Sequence, residues 1–176
     1  MNESQKQFIQ SLVVLPGHPA PETLEPKEIL ERFGANTDDA FAFGLSLLQQ
    51  VTQKKDADEL GYALILCSAL KSFDESYVDL LIELSSANWH EQHENIVQIL
   101  HQLKSPKAID ALYHLTQWLP EYMNYDEENR SLARKALFAL GDTPGEEAKQ
   151  AIQKLLQDNN PKVREFAQEQ IDRQGN

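Results

Sequence analysis

The fold is decided by the stretch NRSLARKALFALGDTPGEEAKQAIQKLLQDNNPKVREFAQEQID, Asn129 to Asp172. It contains one and a half copies of a helical repeat. Four positions of the repeat can be aligned with positions 34 residues later. Arg130, Ala133, Ala136 and Leu137 correspond to Arg164, Ala167, Gln170 and Ile171. The sequences GDTP and DNNP mark the turns. A helical period in the thirties predicts an α-solenoid, in which each unit buries one face against its neighbour.

The second copy carries local signals of a helix start. Asn160 is a good N-cap, and Pro161 suits the first helical position, where its missing N–H costs nothing. Val163, Ala167 and Ile171 then fall on one face of the helix. The small alanine predicts a close approach of a neighbouring helix at that point.

Two further residues belong to the turns of this stretch. We expect Gly141 to end the preceding helix directly after Leu140, because glycine favours helix C-termini. We expect Arg164 to reach Asp158 and so to tie the turn to the helix that follows it.

The same segment resembles the HEAT repeat, a helix-turn-helix unit with an acid and a proline in its turn. The residues that match this pattern in order are Asp158, Pro161, Val163, Arg164 and Ala167. The resemblance is good over the last part of the chain and weaker before it. In HEAT repeats these positions are structural, so the resemblance implies a fold and no site.

The remainder of the chain also predicts helices, and no segment alternates apolar and polar residues as a strand does. The main predicted helices cover residues 26–33, 37–53, 56–71, 74–87, 90–103 and 106–119. Aligned at their turns, the helices make about five pairs that alternate between two layers. We therefore predict an all-α fold, an α-solenoid of HEAT-like helix-turn-helix repeats, in a single domain over residues 1–176. Residues 1–36 are expected to be a degenerate N-terminal cap and residues 37–176 better-formed repeats.

Composition is that of a soluble globular chain, with 41% hydrophobic and 25% charged residues. Cys67 is the only cysteine, so no disulfide can form within the chain, which favours a reducing compartment. The N-terminal apolar run from Leu12 to Leu15 is short and lacks a preceding basic region. We therefore predict a cytoplasmic protein without a signal peptide or membrane span.

The net charge of −12 is unevenly distributed. Residues 72–128 hold eleven acids against two lysines, together with both tryptophans and four of the five tyrosines. One interpretation is that the acids solvate the outer face while the aromatics fill the core. The other is a surface for a basic protein, because acids steer such a partner and Tyr and Trp anchor it. The same charge argues against nucleic acid, whose phosphates a binding face must offset with cations.

Residues 118–129, WLPEYMNYDEEN, lengthen one turn of the array. Insertions in a solenoid map to loops on one face, often the binding face. This one places aromatics next to acids. The predicted partner-binding residues, in and near it, are Trp89, His90, Glu94, Trp118, Tyr122, Tyr125, Asp126 and Glu127.

A histidine-rich sequence, WHEQHE, precedes this insertion and places His90, His93 and Glu94 on one side of a helix start. It lacks the HExxH and HxxEH patterns of metalloproteases, and a zinc site would need a third ligand such as His101 or His114. The alternative is a polar first turn of the helix, in which an acid complements the helix dipole. We predict no metal, no cofactor and no catalytic residue.

Two classes of function follow. Acidity, small size and the resemblance to HEAT-like proteins of bacterial toxin systems imply a protein-binding inhibitor, an immunity protein that sequesters a basic, nuclease-type toxin. Such a protein is expected as a monomer or a 1:1 complex, with no nucleic acid and no membrane as partner. The alternative, also implied by HEAT-like relatives, is a lyase or a scaffold or assembly subunit with a different partner.

Overall fold

The computed structural model describes residues 1–13, 17 and 22–175. These residues form α-helices and short 3₁₀-helices, with no β-strand among them, so the all-α prediction is confirmed. The α-helices are α1 (Glu3–Ser11), α2 (Pro26–Phe33), α3 (Ala40–Lys54), α4 (Ala57–Ala69), α5 (Val78–Ser85), α6 (His93–Leu103), α7 (Ile109–Gln117), α8 (Ser131–Asp142), α9 (Glu146–Leu155) and α10 (Pro161–Gln174). In the part of the chain described, they make five consecutive pairs, as expected. Over the same ranges, no helix has both the length and the apolar character needed to cross a membrane.

The chain divides into two compact units, Met1–Ser76 and Tyr77–Asn176. In the first unit α1 packs on α2 and α4, and α3 packs on α4. Its core draws on all four helices, with Ile9, Leu30 and Leu66 almost completely buried. The predicted boundary between a cap at 1–36 and repeats at 37–176 stays a prediction.

The second unit has the two-layer arrangement of an α-solenoid. Helices α6, α8 and α10 pack side by side in one layer, and α5, α7 and α9 are neighbours in the other. Each consecutive pair, α5–α6, α7–α8 and α9–α10, packs across the layers. Helix α8 contacts both helices of its own layer as well as α7 and α9, so the quoted stretch does lie at the centre of this unit.

The predicted recurrence over 34 residues is visible in the buried faces of α8 and α10. Ala133 and Ala167 are both buried, as are Ala136 and Gln170, so the same face of each helix points into the unit. The start of α10 is also as predicted, because the Asn160 side chain accepts the N–H of Lys162 and Pro161 is the first helical residue.

The turn before α10 is tied to that helix by Arg164. Its Nη1 donates to the backbone carbonyl oxygens of Asp158, at 2.7 Å, and Asn159, at 3.0 Å. The predicted contact with Asp158 is therefore made, but to the carbonyl oxygen. The Asp158 carboxylate instead accepts the N–H of Asn160.

The predicted helix stop at Gly141 is wrong, because α8 continues to Asp142. A Cβ at position 141 would lie 2.6 Å from Oε1 of Gln170 and 2.7 Å from Nη2 of Arg173. Gly141 therefore serves the close approach of α10 to α8.

Candidate functional site

Aromatic and imidazole rings from three segments of the second unit meet in one cluster. The rings belong to Trp89, His90, His93, Trp118 and Tyr122, and we refer to these five residues as the aromatic cluster. The His90 and His93 ring centroids lie 4.5 Å apart, and His93 lies 5.2 Å from Trp118 and 5.6 Å from Tyr122. Trp89 meets His90 edge-on at 4.8 Å. The connector between α5 and α6, the end of α7 and residues 118–129 are thereby joined through His93.

His90 is a buried residue with both ring nitrogens bonded to backbone, and its side chain is 3% exposed. Its Nδ1 accepts the N–H of Gln92 at 3.1 Å, so Nε2 carries the proton and donates to the Leu84 carbonyl at 3.0 Å. Both bonds hold His90 in the connector between α5 and α6. The helix predicted over residues 90–103 therefore begins only at His93. His90 thus closes the turn that leads into the helix.

His93 links the start of α6 to the insertion. Its Nε2 lies 2.8 Å from the Ala87 carbonyl and must donate, because a carbonyl oxygen only accepts. Its Nδ1 is then the acceptor for the Tyr122 hydroxyl, 3.1 Å away. In the neutral Nε2–H tautomer, His93 therefore donates to Ala87 and accepts from Tyr122.

Burial shifts the ionisation of all three groups toward the neutral form. Desolvation, reinforced by the neighbouring His93, lowers the pKa of His90 from 6.5 to about 4. Desolvation also lowers the pKa of His93, against the opposing effect of its bond to Ala87. For Tyr122, desolvation raises the pKa to about 12, with a smaller contribution from the negative charges of Glu94 and Glu91. The cluster is therefore uncharged at neutral pH.

The insertion is not an irregular loop. Residues Glu121–Asp126 form a 3₁₀-helix whose Met123 side chain is buried. At its end, Oδ2 of Asp126 accepts the backbone N–H of Ser131 at 2.8 Å and also its hydroxyl. Arg130, largely buried, donates to the Thr116 carbonyl at 2.9 Å. The C-terminal end of the insertion is therefore tied to α8 through Asp126 and, through the adjoining Arg130, to α7.

Asp126 is thus a structural acid, with 6% of its surface exposed. Desolvation opposes its ionisation, but the hydrogen bonds from Ser131 and Asn129 and the charge of Arg130 outweigh it and lower the pKa of the carboxyl. Asp126 consequently stays ionised and keeps its bonds to the start of α8.

Several other side chains of the insertion reach the solvent. Tyr125 is 81% exposed, the largest exposure of any large hydrophobic side chain in the described residues. Trp118 and Tyr122 are half-buried. These three aromatic residues, together with the exposed acids Glu91, Glu121, Glu127 and Glu128, are referred to below as the partner surface.

The predicted contact residues fall into three groups. Tyr125 and Glu127 are exposed and Trp89, Trp118 and Tyr122 are half-buried, so all five reach the surface. Glu94 is half-exposed and forms an ion pair with Lys135 of α8 at 2.9 Å. His90 and Asp126 are buried, so their predicted role as contacts stays a prediction that their burial does not support.

Two residues of the site had no predicted contact role. His93, named only as a possible metal ligand, is the centre of the cluster, and its three-residue spacing from His90 was its only signal. His114 is exposed and stacks on Trp118 at 5.7 Å. Within the part of the chain described, no three His, Cys, Asp or Glu side chains are grouped so as to hold a metal ion.

Residues 132–158 match the family model described as the PBS lyase HEAT-like repeat. This range runs from α8 through α9 into the turn before α10, so a HEAT-like repeat is confirmed within the quoted stretch Asn129 to Asp172. Of the five residues that carry the resemblance, Asp158 lies inside the matched range. Such a repeat supports a role in protein interaction or as a scaffold, and the family is typically non-catalytic despite its name. Neither the curated proteins nor the solved structures include a significant match to the chain.

Proposed function

We propose that this HEAT-like repeat protein binds a basic protein through the partner surface. The observation that carries the proposal is the placement of Tyr125, which stands in solvent beside acids on a segment whose C-terminal end is tied to α7 and α8. A large aromatic side chain in water has an unfavourable hydration that a partner removes. We therefore infer that Tyr125 is the central contact.

Rigid support strengthens this assignment. Tyr and Trp lose little conformational entropy on binding because they have two side-chain torsions. Trp118 and Tyr122 are already held against His93, so a partner meets them in place. Binding therefore costs less ordering than it would on a loose loop.

Charge sets the class of partner. Four exposed acids, Glu91, Glu121, Glu127 and Glu128, belong to the partner surface, in a chain whose net charge is −12. Such a field attracts a basic protein and speeds the encounter. The interpretation that the acids only solvate the surface while aromatics fill the core holds for Tyr77, which is buried, but it does not account for Tyr125.

The more specific form of the proposal is an immunity protein that inhibits a basic, nuclease-type toxin in a 1:1 complex in the cytoplasm. Its support is the small size, the net charge of −12 and a single cysteine. Carboxylates of the inhibitor then take the place of the phosphates that the toxin binds. The alternative is a lyase or scaffold role, and of these two the matching repeat supports the scaffold.

The first test is to capture partners of the tagged protein from its own host at low salt and to elute them with rising salt. The proposal expects one basic protein, released by salt. Its affinity is then measured for the variant Glu127→Lys with Glu128→Lys. We expect a loss of about tenfold or more and a shallower salt dependence, because the reversed charges repel a basic partner.

The matched control is Glu146→Lys with Glu147→Lys, an equally acidic and exposed pair at the start of α9. It changes the net charge by the same amount and leaves the partner surface intact. Equal losses in both variants would mean that only overall charge matters and would remove the partner surface from the site. Recovery of acidic proteins alone would favour the scaffold or lyase role.

A further inference from the structure

We propose that the groove between α6 and α8 is a second interaction surface, which binds an acidic segment of a protein through a carboxylate that neighbours an apolar side chain. Its lining includes Val97 of α6 and Arg134, Lys135 and Phe138 of α8, and we refer to it as the cationic groove. Its charge is opposite to that of the partner surface. The inference therefore goes beyond the proposed function and does not depend on it.

The cationic groove differs in charge from the molecule as a whole. It has a volume of about 530 Å³, and none of the described residues that line it is acidic, although the net charge of the chain is −12. A groove of about 500 Å³ between α7 and α9 is instead lined by both signs of charge, including Asp110, Glu147 and Lys154. Of these two grooves, the one between α6 and α8 is therefore the one suited to an anionic ligand.

Arg134 is held in place within the cationic groove by aromatic rings. Its guanidinium carbon lies 5.4 Å from the ring centroid of Phe166 in α10 and 5.9 Å from that of Phe138. These contacts restrict the motion of the guanidinium group before any ligand binds. Among the described residues it donates only to Glu169, through Nη2, at 3.2 and 3.5 Å. Nε and Nη1 are consequently available to a carboxylate of the ligand.

Acids at the rim of the groove form ion pairs with its two cations, and a ligand can exchange with them. Arg134 lies 3.2 Å from Glu169, and Lys135 lies 2.9 Å from Glu94. The four side chains are between 36% and 53% exposed, and ion pairs in such surroundings add little to stability. An incoming carboxylate therefore replaces a rim acid at small cost, but this exchange alone gives little affinity.

The apolar part of the lining supplies the remaining affinity. Phe138 is half-buried, and Val97 is almost completely buried. A ligand side chain that covers the exposed part of Phe138 removes apolar area from water. The preferred ligand therefore carries an apolar side chain beside its carboxylate.

A third acid beside the groove is already neutralised. Asp142 lies next to His101, a further residue of the lining, and its Oδ2 accepts from Nε2 of His101 at 2.7 Å. Its Oδ1 lies 2.7 Å from Nη2 of Arg173. Because both carboxylate oxygens are bonded, Asp142 does not compete with a ligand for the cations of the groove.

Charge complementarity selects an acidic protein segment as the occupant. A basic segment meets the like charges of Arg134 and Lys135, and a second copy of the chain brings the same net charge of −12, so both are repelled. The three lining residues from α8 lie within the matched HEAT-like repeat, residues 132–158, which supports a role in protein interaction.

The test is an NMR titration of the protein with three unlabelled peptides. The first carries glutamates around one central phenylalanine, the second has glycine in place of the phenylalanine, and the third has glutamine in place of each glutamate. We expect the first to shift the backbone amides of residues 97–101 and 134–138 and to bind about tenfold more tightly than either of the others. Equal binding of all three peptides would overturn the proposal. Shifts of the same amides with protein concentration alone would assign the groove to a second copy and overturn the choice of occupant.

A pair of lysine variants tests the cations of the groove. Lys135→Gln should weaken the first peptide about tenfold or more, because a charge-assisted hydrogen bond is lost. The matched control is Lys149→Gln in α9, which removes a cation from a similarly exposed ion pair with Glu146 and should leave the affinity unchanged. Equal losses in the two variants would show that only overall charge matters and would remove the groove as the site.

A rim acid provides a test in the opposite direction. Glu169→Gln releases Arg134 from its ion pair and should tighten the first peptide about threefold. Glu165→Gln changes the net charge equally at an exposed pair with Lys162 and should have no effect. The same affinity in both variants would contradict the role of Arg134. Because the probes are acidic and these variants lie outside the partner surface, the result stands whether or not a basic partner is captured.

Discussion

The carboxylate of Asp126 caps helix α8 from outside it: Oδ2 accepts the backbone N–H of Ser131 at 2.8 Å. The backbone N–H groups of Asn129 and Arg130 bond in turn to the Asp126 carbonyl. The acid therefore closes the insertion and satisfies the backbone N–H of the first residue of α8, so Asp126 is a buried structural residue that supports the partner surface.

We predict that Asp126→Ala destabilises the protein by about 1–2 kcal/mol, the usual cost of removing a side-chain cap. The free energy of unfolding from urea denaturation measures this. Glu127→Ala, one residue on and exposed, is the control and should change it by less than about 0.5 kcal/mol. Equal stability of the two variants would show that the Asp126 cap contributes nothing.

Protonation of His90 is expected to lower the free energy of unfolding in mild acid. The pKa of His90 is about 4 in the fold and 6.5 when unfolded, so the unfolded chain binds more protons between these values. The contribution of neutral His90 is complete above 6.5 and declines as the pH falls to about 4. The expected loss is about 3 kcal/mol.

Urea denaturation at several pH values between those limits measures the effect. His90→Gln does not titrate and retains a donor for the Leu84 carbonyl, so it should flatten the dependence, leaving the part due to His93. The lowered pKa of Asp126 acts in a lower range, since its contribution is lost only as the pH falls below the ordinary carboxyl value of 3.8. An unchanged pH dependence in His90→Gln would contradict the assignment.

Ala167 tests the packing of α10. It is 0% exposed, and the equivalent Ala133 in α8 is also buried. Ala167→Glu should cost about 3 kcal/mol or more, because it forces an unpaired charge between helices. Gln168→Glu places the same carboxylate on the exposed side of α10 and should cost only about 0.5 kcal/mol, because it exchanges the hydrogen bond from Gln168 to Asp172 for a solvated like-charge pair. Thermal melting of both variants suffices, and similar midpoints would show that α10 does not pack as described.

A substitution at Gln170 is expected to stabilise the fold, in contrast to Ala167→Glu. Its side chain is fully buried, and its amide nitrogen and oxygen have no hydrogen-bond partner in the described structure. Gln170→Met has nearly the same shape and removes that unmet demand, so it should stabilise the fold by about 1 kcal/mol or more. The midpoint of urea unfolding at constant slope measures this. A destabilised variant would indicate that a water or another group satisfies the amide.

Much of the fold is determined by short-range sequence patterns. The cap at Asn160 and the proline at 161 depend on neighbours within one helical turn, and the spacing that puts Val163 and Ala167 on one face of α10 is equally local. Side chains three or four residues apart share a helix face whatever the helix packs against. Composition likewise determined that residues 118–129 combine aromatic and acidic side chains.

The tertiary structure decided which of those side chains are exposed and can contact a partner. Tyr125 and Asp126 are adjacent in the sequence, yet one is 81% and the other 6% exposed, because Asp126 turns toward the start of α8. His93 became the centre of the cluster only because Tyr122, far along the chain, folds back onto it. Gly141 lies within α8, where the Gln170 side chain from α10 occupies the space that a Cβ would need. Helical spacing places a side chain on a face, but its burial depends on which distant segment packs over that face.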